Sequence, residues 1–295
     1  MLGRLAGKSA RAMAILGALL ALAVLLAAAG RLRWRSATRE IRHRVESAAA
    51  GSPPPAVPRP APDALPLPVQ RYLRRAVPPG TAPAGVVRIR QAGQFNLSES
   101  GERWVPFTAT QVTILRTPGF DWDARVRFAP ALPVYVRDAY ASREGLTEAR
   151  ILGLLKVMQV RGGGLIAEGQ LLRFLAEAPW YPMILAPGGL VEWSADGERS
   201  ARATLRHGGL TASLRFVFGE DDFIQAVQAE ARGRTVDGRL VPTPWQGRFW
   251  NYALRSGVWV PLEGEVSWVL PSGPHPYWRG RIAEIRYEPG TEPGR

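Results

Sequence analysis

Two glutamates, Glu263 and Glu265, lie two residues apart in PLEGEVSW. On a β-strand this spacing puts both carboxylates on one face together with Ser267. Carboxylates within roughly 5–10 Å of each other can hydrolyse glycosidic bonds. The same pair is equally typical of a solvated outer face, where it would form ion pairs with Arg279 or Arg281 across a hairpin. Nothing else in the sequence supplies a substrate site beside them, so the solvated face is the better interpretation.

Residues 162–167 read GGGLIA and fit the glycine pattern G-x-G-x-x-G/A of dinucleotide-binding loops. The pattern follows an apolar VMQV segment and opens a predicted helix, as such a loop does. The surrounding chain shows hairpin signals and no alternation of strands with helices, which a dinucleotide-binding fold requires. We therefore interpret these glycines as a flexible loop that leads into a helix.

The histidines and the absence of cysteine exclude several classes of chemistry. His43, His207 and His275 are far apart and lack the spacing of metal ligands, and the chain has no cysteine for a thiolate site or a disulfide. The segment LSESG lacks the first glycine of the G-x-S-x-G nucleophile motif. We predict no metal and no cofactor.

Aromatic residues carry the remaining functional signal. Nine of the ten tryptophans follow residue 100, where large rings either fill the core or line a ligand cavity in a curved sheet. Packing in the core is the alternative role for each candidate. The candidate ligand-binding residues are Asp138, Tyr140, Glu177, Trp180, Tyr181, Trp245 and Glu263.

The element expected to position these residues is a helix within Gly162–Pro182, GGGLIAEGQLLRFLAEAPWYP. Its apolar residues recur at helical spacing and form a broad face, while Gln170, Arg173 and Glu177 fall on the opposite stripe. Pro179 ends the helix and leaves a Trp-Tyr pair at its end.

From residue 85 the apolar period changes from 3.6 to 2, which indicates strands. In FDWDARVRF the apolar residues Phe120 and Trp122 face one way, and Asp121 and Asp123 face the other. Short Gly-containing turns separate later strands and can join only antiparallel neighbours. We predict a mainly β (α+β) fold: a curved antiparallel meander, or half-barrel, of about ten strands around one central packed helix.

The N-terminal segment predicts a membrane anchor. After a basic N-terminus at 1–11, residues 12–30 are uncharged and apolar, and would span roughly 28 Å as a helix. A cleaved signal peptide is the alternative. A basic juxtamembrane segment and proline-rich stalk follow at 31–64, then a β-rich domain at 65–288 and a tail at 289–295. About half of the net charge of +13 lies before residue 65, which argues against nucleic-acid binding by the domain.

Two sequence patterns give opposite predictions for the side of the membrane on which the domain lies. More arginines follow the apolar run than precede it, which places the domain in the cytoplasm by the positive-inside rule. The basic-then-apolar layout of the N-terminus and the lack of cysteine favour export instead. We favour a single-pass protein with its domain on the extracytoplasmic, periplasmic side.

Several long motifs resemble the uncharacterised bacterial proteins of domain-of-unknown-function family 6544. They include VRDAYASREG, EGQLLRFLAEAPWYP and VPLEGEVSWVLPSGPHPYWRGR, and the resemblance runs from about Leu65 to Tyr287. This resemblance implies no established activity or catalytic residue. A curved meander around one helix also resembles periplasmic lipoprotein carriers, at the level of fold only.

Three functions are consistent with these patterns. The preferred one is a membrane-anchored cell-envelope protein that binds an apolar or lipid-like ligand in its curved sheet. The second is an enzyme that acts on envelope glycans or lipids through carboxylates such as Glu177, Glu263 or Glu265. The third is a non-enzymatic scaffold, whose protein partner the sequence does not name.

Overall fold

A computed structural model of the chain describes residues 2–47, 65–98, 101–129, 132–236 and 239–289. It contains the helices α1 (Leu2–Ser47), α2 (Leu67–Ala76) and α3 (Gly164–Ala176), and two short 3-10 helices at Ala178–Trp180 and Pro182–Leu185. The strands are β1 (Val86–Asn96), β2 (Trp104–Ile114), β3 (Gly119–Ala129), β4 (Leu132–Ala141), β5 (Glu144–Ile151), β6 (Leu155–Gly162), β7 (Val191–Ala195), β8 (Ser200–His207), β9 (Leu210–Phe218), β10 (Ile224–Val236), β11 (Arg239–Arg255), β12 (Val258–Leu270) and β13 (Gly273–Glu288).

All thirteen described strands form one open antiparallel sheet, in the order β6-β5-β4-β3-β2-β1-β13-β12-β11-β10-β9-β8-β7. This confirms the predicted antiparallel meander, with more strands than the ten expected. One reason is that residues 144–162 supply two strands, β5 and β6, which form a hairpin that turns at Leu152 and Gly153. Both turn residues have positive φ, at 55° and 74°. The edge strand β7 has only five residues, too few for its alternation to stand out.

The sheet curls around α3. This helix contacts β5 and β9, which lie near opposite ends of the strand order, so the two ends must approach each other around it. Gly145 of β5 makes this close approach possible, because a Cβ atom there would lie 2.6 Å from the carbonyl oxygen of Ile166. The concave face of the sheet therefore surrounds α3, as the half-barrel interpretation predicts.

The main hydrophobic core fills the space between the concave face and the helices. Trp122, Tyr140, Phe174 and Phe216 are among its large members, and none of these four is more than 1% exposed. On β3 the alternation seen in the sequence is borne out, since Phe120, Trp122 and Ala124 all face this core.

A smaller core lies on the convex face beneath the second half of α1, where Ile41 and Val45 pack with residues of β1, β2, β4 and β5. Residues 31–47, expected in a juxtamembrane segment, are therefore helical and dock on the domain. The proline-rich stalk falls outside the described residues, as does the tail after residue 289, and both stay predictions.

Polar contacts fix α1 to β3. Trp34 Nε1 donates a hydrogen bond to Asp123 Oδ1 (2.8 Å), and Arg42 Nε donates one to Asp121 Oδ2 (2.9 Å). At the start of the docked segment, any side chain at Gly30 would collide with the Leu152 carbonyl oxygen of the β5–β6 turn. The β1–β2, β3–β4 and β5–β6 turns share this end of the sheet, which we call the Gly30 end.

Before Gly30, α1 projects away from the domain with its apolar side chains exposed. Leu16, Leu20 and Leu25 are each more than 60% exposed. Among the described helices, only α1 is long and apolar enough to cross a membrane, as judged by length and composition. A signal sequence would pass the same test.

Candidate functional site

Arg173 of α3 stands at the centre of a polar cluster within the concave face. Its Nη1 donates to Asp138 Oδ2 (2.5 Å) and its Nε donates to Glu177 Oε1 (2.8 Å). The guanidinium also lies over two rings, 4.9 Å from the centroid of Trp122 and 5.2 Å from that of Phe120. One cation thus joins two candidate carboxylates and the aromatic core.

Both carboxylates receive further hydrogen bonds from the sheet and the helix. Thr147 Oγ1 donates to Asp138 Oδ1 at 2.6 Å, and Gln170 Nε2 donates to the same oxygen at 3.3 Å. Gln111 Nε2 donates to Glu177 Oε2 at 2.5 Å. We call these side chains, with Arg173, the Arg173 cluster; it ties α3 to β2, β4 and β5.

The charges in the Arg173 cluster are held in place by one another. Burial acts to lower the pKa of the Arg173 guanidinium, but the charges of Glu177 and Asp138 outweigh it and raise that pKa. Burial raises the pKa of Tyr181 well above its usual value, and the negative charge of Glu177 raises it further. Tyr181 is therefore a neutral phenol, and it donates to the Phe174 carbonyl oxygen at 2.7 Å.

The polar stripe of α3 faces protein rather than solvent. Gln170 is 5% exposed and Glu177 is 9% exposed. The sequence places these residues opposite the apolar face correctly, but the curled sheet reaches around the helix and buries this side as well. Each oxygen of Glu177 accepts a hydrogen bond from the folded domain, one from Arg173 and one from Gln111, so this carboxylate ties α3 to the sheet.

Tyr140 connects the two ends of the curled sheet. Its hydroxyl lies 2.9 Å from His207 Nδ1, and His207 Nε2 lies 3.2 Å from Thr117 Oγ1. Burial raises the pKa of Tyr140 to about 12. Burial and the nearby charge of Arg143 lower the pKa of His207. The turn between β8 and β9 is thereby held against β4 through a neutral imidazole.

We expect this contact to make stability pH-dependent. Because the folded pKa of His207 lies below its ordinary 6.5, the unfolded chain takes up a proton first as pH falls. The stabilisation is complete above about pH 6.5 and is lost towards the lower folded pKa. Urea unfolding between pH 7.5 and 5 should give a shallower pH dependence for His207→Asn than for the unsubstituted chain; equal slopes would contradict the assignment.

Trp180 lies at the end of the helical layer, where its contacts are structural. Its Nε1 donates to the Pro261 carbonyl oxygen (3.1 Å), and its own carbonyl accepts a hydrogen bond from Tyr287 (2.7 Å). Its ring makes an edge contact with Phe249 and a tilted contact with Trp278.

The two remaining candidates lie on opposite faces of the sheet. Trp245 faces the concave side and donates to the Tyr277 hydroxyl at 2.8 Å. Glu263 is on the convex face, where Trp250 Nε1 donates to it at 2.6 Å. The structure thus groups Asp138, Tyr140, Glu177, Trp180 and Tyr181 around α3, places Trp245 further along the concave face, and separates Glu263 from all of them.

The paired glutamates also fail to converge with the other carboxylates. Glu265 accepts a hydrogen bond from Arg279 on the convex face (2.7 Å), which is the outer-face ion pair that the sequence allowed. Glu177 lies on the other side of the sheet. Among the described residues, no group of three histidine, aspartate or glutamate side chains is placed to hold a metal ion.

The helices cover the concave face unevenly. Towards the Gly30 end, beyond the Arg173 cluster, aromatic rings form a continuous layer. Phe107 contacts Phe95 (5.0 Å between centroids) and stacks on Trp278 (5.9 Å), and Trp268 stacks on Tyr277 (5.5 Å). We call this layer the aromatic floor; its members are Phe95, Phe107, Trp122, Trp245, Trp268, Tyr277 and Trp278.

Most of the aromatic floor is absent from the sequence-based candidates. Phe95, Trp268, Tyr277 and Trp278 are half-buried at its outer margin, whereas Phe107 and Trp122 are buried beneath them. Phe95 and Trp278 meet because β1 pairs with β13. Period-2 phase alone identifies both as inward-facing, but no local signal shows that strands so far apart in the chain are neighbours.

A family model described as a family of unknown function, DUF6920, matches residues 63–287 of the chain. The chain belongs to this family. The family number 6544 suggested by the sequence resemblance is not confirmed. No curated protein matches the chain.

Two solved structures are similar to this DUF6920 protein at low identity. A LolA superfamily protein from Nitrosomonas europaea is 10% identical with a TM-score of 0.40, and the match covers 75% of this chain and 92% of that one. A beta-barrel-like protein of the domain of unknown function DUF1849 from Brucella abortus is 11% identical with a TM-score of 0.23, covering 72% and 99%.

Two pockets lie between α1 and the convex face, with volumes of about 210 Å³ and about 10 Å³, and the described residues that line them do not belong to α3. Beneath α3 the space holds the packed core and the Arg173 cluster. A ligand on the concave side would therefore lie on the aromatic floor rather than in an enclosed cavity.

Proposed function

We propose that this protein is a membrane-anchored cell-envelope protein that binds an apolar, lipid-like ligand on its aromatic floor. The observation that carries the proposal is that four large rings on the concave face, Phe95, Trp268, Tyr277 and Trp278, are only partly buried. A group of large rings that stays accessible to solvent on one face is typical of a binding site.

The floor is suited to an acyl chain for two reasons. Its surface is made mainly of aromatic rings, and two of its polar groups, the indole N–H of Trp245 and the hydroxyl of Tyr277, are hydrogen-bonded to each other.

The position of the floor relative to α1 also supports the proposal. The floor opens towards the Gly30 end, where the exposed apolar part of α1 begins. If residues 12–30 span a bilayer, the floor faces the membrane surface and lipids reach it over a short path. The export-type layout of the N-terminus favours the extracytoplasmic side for the domain.

The two alternatives have narrower support. The carboxylates suggested for hydrolysis lie on opposite faces of the sheet, as described above. A scaffold role draws on edge strand β6, where Leu155 and Val157 are 66% and 59% exposed, since an unpaired apolar edge can bind another strand. This edge supplies a possible protein contact but does not account for the aromatic floor.

Photo-crosslinking of the full chain in membranes tests the proposal. Within residues 65–288, a diazirine-labelled fatty acid should attach mainly to residues 262–280, and Trp268→Glu should lower that attachment at least fivefold. Trp250→Glu is the matched control, since Trp250 is 41% exposed on the convex face and should leave attachment unchanged. Equal labelling of both variants and the unsubstituted chain would overturn the proposal.

A further inference from the structure

The larger pocket, of about 210 Å³, lies between α1 and strands β4 to β6 on the convex face, away from the aromatic floor. This volume is far above the roughly 10–15 Å³ needed to admit one water molecule. Arginine dominates the lining, and its charge is only partly balanced. The charged lining residues are Arg33, Glu40, Arg44, Arg137, Glu148, Arg150 and Arg161.

We propose that this pocket binds a phosphate group, either that of a phospholipid headgroup or a soluble phosphate. Five arginines against two glutamates make the lining an anion site by charge. Arginine matches phosphate because its planar fork of N–H donors can form paired hydrogen bonds to two phosphate oxygens.

The strongest indication is a buried guanidinium with an unused donor. Arg137 is 0% exposed, and its Nε lies 3.1 Å from Asp121 Oδ1, on the side away from Glu148. Its Nη1 makes no hydrogen bond to the described residues and lies 3.8 Å from Glu148 Oε2. Among the same residues, Arg44 Nε is also buried without a hydrogen-bond partner. Leaving a buried donor unpaired is unfavourable, and more so for a charged group. A phosphate in the pocket would offer acceptor oxygens to both donors.

The carboxylates near the pocket do not balance all of its arginine charges. Glu148 is engaged by Arg150, whose Nε lies 2.5 Å from its Oε1. Arg161 pairs with Glu144 at 2.9 Å, so its charge is also balanced. Glu40 is exposed at the margin. The charge of Arg137 is paired with that of Asp121 (3.1 Å), so the excess positive charge of the lining is that of Arg33 and Arg44, and Arg137 adds an unused N–H donor.

The height of the pocket along α1 suits a lipid headgroup, on the proposed reading that residues 12–30 span the bilayer. Arg33 follows Gly30 by three residues, about 4.5 Å along the helix axis, and Arg44 lies about 21 Å along it. The lower margin of the pocket then lies at headgroup depth, since that layer extends several ångströms beyond the hydrocarbon.

Two measurements on the full chain in detergent test the inference. Native mass spectrometry should detect retained phosphatidylglycerol, and thermal unfolding should show whether inorganic phosphate raises the Tm. Arg44→Gln should reduce lipid retention or the phosphate-induced shift at least fivefold. Arg39→Gln is the control, because Arg39 is exposed on the same helix and does not line the pocket.

Retention of lipid that depends on Arg44 supports a headgroup site, and a phosphate-induced shift that depends on Arg44 without lipid retention supports a soluble phosphate. The inference is overturned if neither probe binds, or if both variants lose binding equally. Fatty-acid labelling of the aromatic floor is measured on the other face of the sheet. Loss of that labelling with phosphate binding intact would refute the proposed function alone.

Discussion

Replacing Arg173 with alanine is expected to lower the free energy of unfolding by about 3–5 kcal/mol. The substitution leaves Asp138 and Glu177 without the cation that pairs with both, and their side chains are only 22% and 11% exposed. It also removes the guanidinium from the faces of Trp122 and Phe120. Urea unfolding at neutral pH measures the difference.

Two further variants make this result specific to the Arg173 cluster. Arg173→Lys retains the charge but not the two-sided fork, so it should recover only part of the loss. Arg202→Ala removes a surface partner of Glu230, which is 84% exposed, and should change stability by less than about 0.5 kcal/mol. A loss for Arg173→Ala as small as that for Arg202→Ala would show that the cluster does not hold α3 in place.

Replacing Asp121 with alanine should have a comparable cost, about 3–5 kcal/mol, on the convex face. Asp121 is fully buried and lies between Arg42 (2.9 Å) and the fully buried Arg137 (3.1 Å). Without it, the Arg137 charge has only Glu148 nearby, at 3.8 Å. The same change removes the Arg42 contact that holds α1, so hydrogen exchange should accelerate in residues 34–45.

A double substitution distinguishes an unpaired charge from lost packing. If the cost arises from the Arg137 charge, Asp121→Ala with Arg137→Met should be more stable than Asp121→Ala alone, because the buried charge is gone. Glu192→Ala is a surface control; Glu192 is 73% exposed and should matter little. A double variant less stable than the single one would contradict this explanation.

Strand β3 shows which structural features can be predicted from sequence alternation and which cannot. Alternation in FDWDARVRF assigns Phe120 and Trp122 to one face and Asp121 and Asp123 to the other, and the structure has this arrangement. Alternation does not reveal whether the polar face is open to water. Here α1 covers it with Trp34 and Arg42, so a carboxylate that looked solvated is fully buried.

The same limit applies to the candidate site. Helical spacing predicted α3 and its polar stripe, and the Trp-Tyr pair lies at its end as expected. The spacing could not show that the stripe meets Asp138 and Gln111, because those contacts depend on how far the sheet curls. Glu263 was placed with the others on residue type alone, and the register of β11, β12 and β13 puts it on the opposite face.

The pairing of β1 with β13 has a consequence for how the chain folds. Within each of two groups of strands, β1 to β6 and β7 to β13, neighbours in the sheet are also consecutive in the chain. Each group can therefore form by local hairpin pairing. Joining the two groups requires β1 to pair with β13, so that Val86 lies opposite Glu288 and nearly the whole domain is closed into one loop. Contacts between residues so far apart in the chain slow folding, so we expect the β1–β13 pairing to form late in folding. Since the first and last strands are neighbours, a circular permutant that links them directly would convert the slowest contact into a local one.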